Sequence, residues 1–184
     1  MCDGPLSGAE VCQADAACLP FADGTFDGAF ADRVIQHVPI PMQTLGELVR
    51  VVRPGGRVVI ADPDQETLVI HVPGVAHELA DRVKALRRDV GYRNGRFVSS
   101  LPAVLTAMNM VYVTVDAFVL SLTDPDDAFG IAGWPRLWHE TGAFTPTEVT
   151  EWEHAIEHSR QGGFLYSLIY FVVACRTSST AHAR

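Results

Sequence analysis

The run Leu19-Pro20-Phe21-Ala22-Asp23-Gly24-Thr25-Phe26-Asp27-Gly28-Ala29-Phe30-Ala31-Asp32-Arg33 leads through a helical stretch into Arg50-Val51-Val52-Arg53-Pro54-Gly55-Gly56-Arg57-Val58-Val59-Ile60-Ala61. Phe26 to Ala31 and Arg57 to Ala61 are short apolar runs suited to strands. Between them Leu45, Leu48, Val49 and Val52 recur at i, i+3, i+4 and i+7, one apolar stripe at helical period. Pro54-Gly55-Gly56 is expected to close that helix, because proline lacks an amide donor and glycine tolerates a reversed backbone. Strand, helix and strand in this order predict a βαβ unit, with a parallel sheet and helices on its faces. Asp23-Gly24 reads as a turn, and Leu19-Pro20-Phe21 with Phe26-Asp27 as scaffolding for the loop before the first strand.

Working outward, Ala9 to Ala14 is a short apolar stretch compatible with one more strand. Downstream, Val75, Leu79, Val83, Leu86 and Val90 mark a long amphipathic helix, and Ser99 or Ser100 is placed to cap a second with Pro102 early. Met110 to Leu122 is β-branched and reads as a strand, whereas Asp124 to Gly142, with Pro125, Gly130, Gly133 and Pro135, reads as loop. Thr145-Pro146-Thr147-Glu148 is a capping-box start for a helix to about Arg160, which Gly162-Gly163 stops. Phe164 to Arg176 is the last strand. No linker divides the chain, so the expectation is a single domain over residues 1–184, with helical cap elements at about 64–109 and 124–161.

The 184 residues are 48% hydrophobic and 20% charged, which suits a globular fold with a true core. A net charge of -8 argues against nucleic acid as a partner, since phosphate binding needs clustered cations. The basic stretch Arg82 to Arg96 is interspersed with acids and reads as a solvated helix face. Cysteines at 2, 12, 18 and 175 have no metal-site or disulfide-framework spacing, so reduced thiols and a cytoplasmic location are expected. The apolar run Phe164 to Cys175 is shorter than the about 20 residues of a membrane span. No Gly-x-Ser-x-Gly or phosphate-loop Gly-Lys-Ser/Thr signature is present, which leaves hydrolase readings without support. His154-Ala155-Ile156-Glu157-His158 matches an inverted zinc-protease pattern. Yet the helix that turns Val149, Trp152 and Ile156 inward puts both histidines outward, and no acid follows Glu157, so no metal is expected.

The joined pattern Asp15-x-x-x-Leu-Pro-Phe-x-Asp-x-x-Phe-Asp and Arg-Val-x-Arg-Pro-Gly-Gly resembles the middle of class I S-adenosylmethionine-dependent methyltransferases of the ubiquinone/menaquinone-biosynthesis kind. The motif detail spans about Val11 to Asp62, and a looser likeness reaches the final strand. The resemblance implies a Rossmann-like α/β methyltransferase sheet, mostly parallel with an antiparallel C-terminal hairpin, and S-adenosylmethionine as cofactor. It implies that Asp15 and Ala16 meet the adenine, a carboxylate accepting from the exocyclic amine and a backbone N–H donating to a ring nitrogen. Asp32, just past a strand at the carboxyl edge of the sheet, would lie beside the methionine portion. There it either accepts from the cofactor's ammonium or pairs with Arg33. His37 would face the methyl group, as a proton acceptor for the nucleophile or as a residue bonded to a backbone carbonyl before Pro39. Asp62 either lines the acceptor pocket or is an ordinary strand-end carboxylate. Trp134, Trp138 and His139 form either a substrate lid or aromatic packing.

In such families a first strand and a Gly-x-Gly-x-Gly loop precede this block, and the sequence contains no such loop. The chain is therefore expected to be N-terminally truncated relative to its family, with the strand Phe26 to Ala31 an exposed edge open to pairing. Two functions follow. One is methyl transfer to a small-molecule acceptor, when completed by a missing N-terminal part or by a partner. The other is a non-catalytic remnant domain that dimerises or binds protein through that edge. Neither implies a nucleic-acid or membrane partner.

Overall fold

In a computed structural model, residues 10–179 are described. Five strands form one mixed sheet: β1 (Phe26–Asp32), β2 (Val52–Pro63), β3 (Val69–His71), β4 (Val111–Leu122) and β5 (Leu165–Arg176). β1 and β2 run parallel, joined by helix α1 (Pro41–Arg50), which is the expected βαβ unit. β5 lies antiparallel to β2 along Tyr170 to Arg176 and to β3 along Leu165 to Ser167, while β4 takes its other flank. The fold is α/β with an open sheet, and β4 and β5 form the antiparallel C-terminal pair, with α4 (Trp134–His139) and α5 (Pro146–Ser159) between them in the chain rather than a tight hairpin turn. Among the described residues only β1 and β2 run parallel, so the sheet is mixed and not mostly parallel as expected, because β5 sits antiparallel against β2, β3 and β4.

Strand alternation separates two apolar clusters. Val58, Ile60, Val173 and Cys175 point to one face, where Leu45 of α1 and Leu101 and Leu105 of α3 (Leu101–Ala107) cover them. Toward the carboxyl end of β2, Leu168 and Tyr166 of β5 point the other way. A cap covers them, built from α2 (His77–Leu86), α4 (Trp134–His139) and α5 (Pro146–Ser159). Trp134 and Trp152 are the cap's largest buried side chains, and each indole N–H finds a carbonyl, Phe129 O at 3.1 Å and Ile131 O at 2.9 Å. The aromatic-packing reading of Trp134 and Trp138 is the one observed, and the His139 Nδ1 lies 2.8 Å from Phe144 O.

The cap does not reach the rest of that sheet face. Phe30, Val59, Ala174 and Thr114 form one row across β1, β2, β5 and β4, and Phe30 is 65% exposed. Phe118 of β4, stacked on Tyr170 at 4.9 Å, is 52% exposed. Among the described residues no strand pairs with the outer edge of β1.

Several elements differ from the sequence expectation. Glu10 to Ala14 are in no strand, and no ladder bond reaches them; Ala9 lies outside the described residues. An extended segment without a neighbour cannot satisfy its backbone groups, so it has no reason to persist as a strand. α1 ends at Arg50, and Pro54-Gly55-Gly56 lies inside β2 as a bulge rather than at the helix end. The cause is steric: a Cβ on Gly56 would sit 2.7 Å from Asp27 O, so β2 closes on β1 there only with glycine. The predicted helix through Val90 stops being α-helical at Leu86, continuing as a π turn over Arg87–Gly91. Ser100 gives no cap bond to α3; its hydroxyl donates back to Phe97 O. Asp124 to Gly142 carries α4 as well as loop. The Thr145 capping box forms as expected, with Glu148 accepting from the Thr145 N–H at 2.8 Å.

Candidate functional site

The carboxyl ends of β1 and β2 carry the loop on which the site is built. Asp32 is the last residue of β1, and Arg33 follows in a left-handed conformation (φ 56°), its N–H donating to Ala61 O at 2.8 Å. That conformation is unfavourable for a side chain with a Cβ and is held by its surroundings. Asp62 supplies the brace: its Oδ2 accepts from the Ile35 N–H at 3.1 Å. Asp62 is 1% exposed and its Oδ1 has no partner, so burial pushes its carboxyl up to about 7. Asn94, unremarked in the sequence, ties the loop from the other side by donating through Nδ2 to Ile35 O and Val38 O.

The Tyr170 hydroxyl donates to Asp32 Oδ1, reaching past the end of β2. The pairing of Asp32 with Arg33 expected as one alternative does not occur. With Tyr170 on Asp32, the Arg33 guanidinium turns instead over the Phe129 ring, 5.0 Å from its centroid. His37 is exposed, its ring 5.1 Å from that of Tyr92. Partial burial, with Arg33 and Arg87 nearby, holds His37 below its ordinary value, so it is unprotonated at neutral pH. The loop shape expected of His37 comes instead from Asn94 and Asp62.

Asp15 and Ala16 lie at some remove along the chain, on the segment that leads to β1. Asp15 Oδ1 accepts from the Ala17 N–H at 2.8 Å and Cys18 N–H donates to Asp15 O at 2.9 Å, which makes a tight turn with an exposed carboxylate. Arg50 of α1 holds the following residues by donating to Leu19 O and Phe21 O, at 3.1 Å and 2.8 Å, and to Asp23. Glu47 accepts from Arg50 and from the Leu19 N–H, bonds that pull its carboxyl down to about 2. The aromatic anchor expected of this loop is present as an edge-on pair, Phe21 and Phe26, at 4.9 Å.

Behind Asp32, where the cap meets the sheet, is a cavity of about 40 Å³. Phe129, Tyr92, Tyr166, Tyr170, Gln65 and Arg33 line it. Sequence reasoning passed over most of these. Tyr166 and Tyr170, four apart on a strand, share a face by alternation and carried a readable signal. Phe129 and Tyr92 sit on irregular segments and carried none. His154 and His158 are exposed on α5, and the His158 Nδ1 is 2.8 Å from His154 O. Among the described residues no cluster of three or more acids, histidines or cysteines could hold a metal, and no helix is long and apolar enough to cross a membrane.

Residues 3–60 match the sequence model of a methyltransferase domain. Over 173 residues the chain is 29% identical to a 37.1 kDa protein of unassigned function from Streptomyces fradiae, covering 94% of this chain and 50% of that protein. It is 42% identical over 59 residues to a demethylmenaquinone methyltransferase of Desulfitobacterium hafniense, 32% of this chain and 23% of that one. The chain thus spans half the length of the first relative and less of the second. A candidate methyltransferase of known structure from Bacillus halodurans superposes with TM-score 0.57 at 17% identity, covering 90% of this chain and 70% of that one. The fold is that of the class I S-adenosylmethionine-dependent methyltransferases, and the block from Asp15 to Ile60 lies within their methyltransferase-domain signature.

Proposed function

We propose that this chain carries part of a methyl-transfer site that uses S-adenosylmethionine and acts on a small-molecule acceptor. The observation that supports it most is at the carboxyl edge of β1 and β2, where open α/β sheets bind ligands: Asp32 accepts from Tyr170 and His37 lies 5.1 Å from Tyr92, and both tyrosines line the capped cavity. In this reading two sets of groups would serve the two ends of the cofactor. Asp15 Oδ1 is fixed by the Ala17 N–H, which leaves its second oxygen for the adenine amine and the Ala16 N–H for a ring nitrogen. Asp32, half engaged by Tyr170, would accept from the ammonium of the methionine portion. The bound cofactor supplies an electrophilic sulfonium methyl. His37, held below its ordinary value, would take the proton of the acceptor's hydroxyl or amine. Most of the rate would come from alignment of acceptor and methyl.

In this reading the ribose contacts come from residues outside this chain, on a longer polypeptide or a complementing partner. The bare row around Phe30 and the open edge of β1 favour that completion, and equally favour a homodimer paired through the edge. A reducing cytoplasm suits the unpaired thiols of Cys12, Cys18 and Cys175. Calorimetric titration with S-adenosylhomocysteine tests the function. Saturable binding that Asp15→Ala and Asp32→Ala each weaken by about tenfold is expected. Absence of binding, together with a concentration-independent dimer in sedimentation, would favour the second reading, a non-catalytic domain that associates through its edge.

A further inference from the structure

The cavity between cap and sheet combines apolar walls, buried unpaired polar atoms and positive charge. Leu120, Leu168 and Pro63 are its apolar wall, and Phe129, Tyr166 and Tyr170 present rings. Gln65 is 2% exposed with its Oε1 unpartnered, and the adjoining Gln36, also 2% exposed, leaves its Nε2 unpartnered. Groups this deeply buried are normally bonded, so the Gln65 Oε1 in the cavity wall, backed by Gln36, whose Oε1 accepts from Gln65 Nε2 at 3.4 Å, points to a ligand that completes it.

An aromatic box usually suits a cation. This one is already supplied: the Arg33 guanidinium covers Phe129, and Arg87 lies 4.4 Å over Tyr92, to whose hydroxyl it donates at 2.6 Å. Arg87 is itself short of a partner, its Nε buried and unbonded. Against these two guanidinium groups stands one carboxylate, Asp32, which the lining Tyr170 hydroxyl already engages, so the balance of charge at the cavity favours an anion over an ammonium. We propose that the cavity is the acceptor subsite and takes a planar aromatic ring bearing a carboxylate, with Arg33 reading the charge and Phe129 gating entry. This inference rests on the methyl-transfer reading for the site's role, and it adds the acceptor's class.

The gate follows from size. A cavity of about 40 Å³ holds water, whereas a benzene ring has been accommodated in one of about 150 Å³. Phe129 is 39% exposed, left-handed at φ 54°, and followed by Gly130 at φ 73°. Its carbonyl is pinned by the Trp134 indole, so the backbone stays while the ring swings off Tyr166, 5.7 Å away.

The test is calorimetric and stopped-flow titration of the full chain with 4-hydroxybenzoate, benzyl alcohol and benzyltrimethylammonium, without cofactor. Saturable binding in the order anion, neutral, cation is expected. Arg33→Met, at an exposed position, should weaken the anion by about tenfold, the loss of one charge-assisted bond. Phe129→Ala should speed its association. No binding of 4-hydroxybenzoate, equal or tighter binding of the cation, or an unchanged affinity in Arg33→Met overturns the subsite. An unchanged association rate in Phe129→Ala overturns the gate. A parallel titration with S-adenosylhomocysteine keeps the two readings apart, since it reports on the cofactor end alone.

Discussion

The Tyr170 hydroxyl of β5 donates to the Asp32 carboxylate at the end of β1, bridging two strands that are not neighbours in the sheet. The phenol is held well above its ordinary value by burial and by that carboxylate, so it stays a donor throughout the accessible pH range. Tyr170→Phe keeps the stack on Phe118 and removes only the hydroxyl. A stability loss of about 1 kcal/mol in urea unfolding is expected, the worth of one hydrogen bond at a partly exposed acceptor. A larger loss, or one accompanied by a changed m-value, would mean that the ring rather than the bond is at work.

Asp62 gives the fold a pH signature. Its carboxyl is protonated up to about pH 7 in the folded chain but only to its ordinary 3.8 when unfolded. Folding therefore takes up a proton between those values, and this group's contribution to stability falls as pH rises from about 4 to 7, then levels off. Asp62→Asn retains an acceptor for the Ile35 N–H and cannot ionise. The difference in stability between wild type and variant, followed from pH 4 to 8, should drift against the wild type by on the order of 3 kcal/mol. A flat difference would rule out the buried ionisation.

Two glycines predict opposite outcomes of the same substitution. Gly56→Ala drives a Cβ against Asp27 O at 2.7 Å and Arg53 O at 2.9 Å, backbone atoms that cannot step aside. It should cost about 2 kcal/mol or more by chemical denaturation. Gly46→Ala lies in α1 with nothing within 4 Å, and should stabilise by about 0.5–1 kcal/mol. Similar effects at both positions would contradict the bulge between β1 and β2.

His37 titrates under its neighbours. Burial lowers it first, then the positive charges of Arg33 and Arg87. In an NMR titration its ring should protonate below the ordinary 6.5, and Arg33→Gln should move the midpoint upward. A midpoint indifferent to Arg33 would detach His37 from this corner of the site.

The segment from Asp15 to Asp23 depends on a side-chain clamp. Arg50→Ala removes donors to Leu19 O and Phe21 O and frees Glu47, which holds the Leu19 N–H. Exchange of the Leu19 amide should speed up markedly while the β2 and β5 amides keep their protection. Uniform acceleration across the sheet would show that Arg50 supports global stability instead.

Much of this fold was legible because its signals are local. An apolar stripe located α1, a β-branched run β4 and a continuous apolar run β5, and the Thr145 capping box located the start of α5. What local pattern misplaced was set by distant backbone. Pro54-Gly55-Gly56 has the chemistry of a helix stop, yet its glycine answers to Asp27 across the bulge. Ser100 has the chemistry of a cap, yet bonds behind itself. At the site, Asp32 and His37 stood out because they follow a strand. Phe129 and Tyr92 did not, since only the cap's packing on β5 brings them to Arg33.

The uncovered row around Phe30 and Phe118 has a practical corollary at the bench. A dye that brightens on apolar surface, ordinarily a marker of a collapsed but unpacked chain, should find a landing place on the intact molecule. Strong fluorescence from such a dye alongside sharp, dispersed amide resonances would then describe the native state.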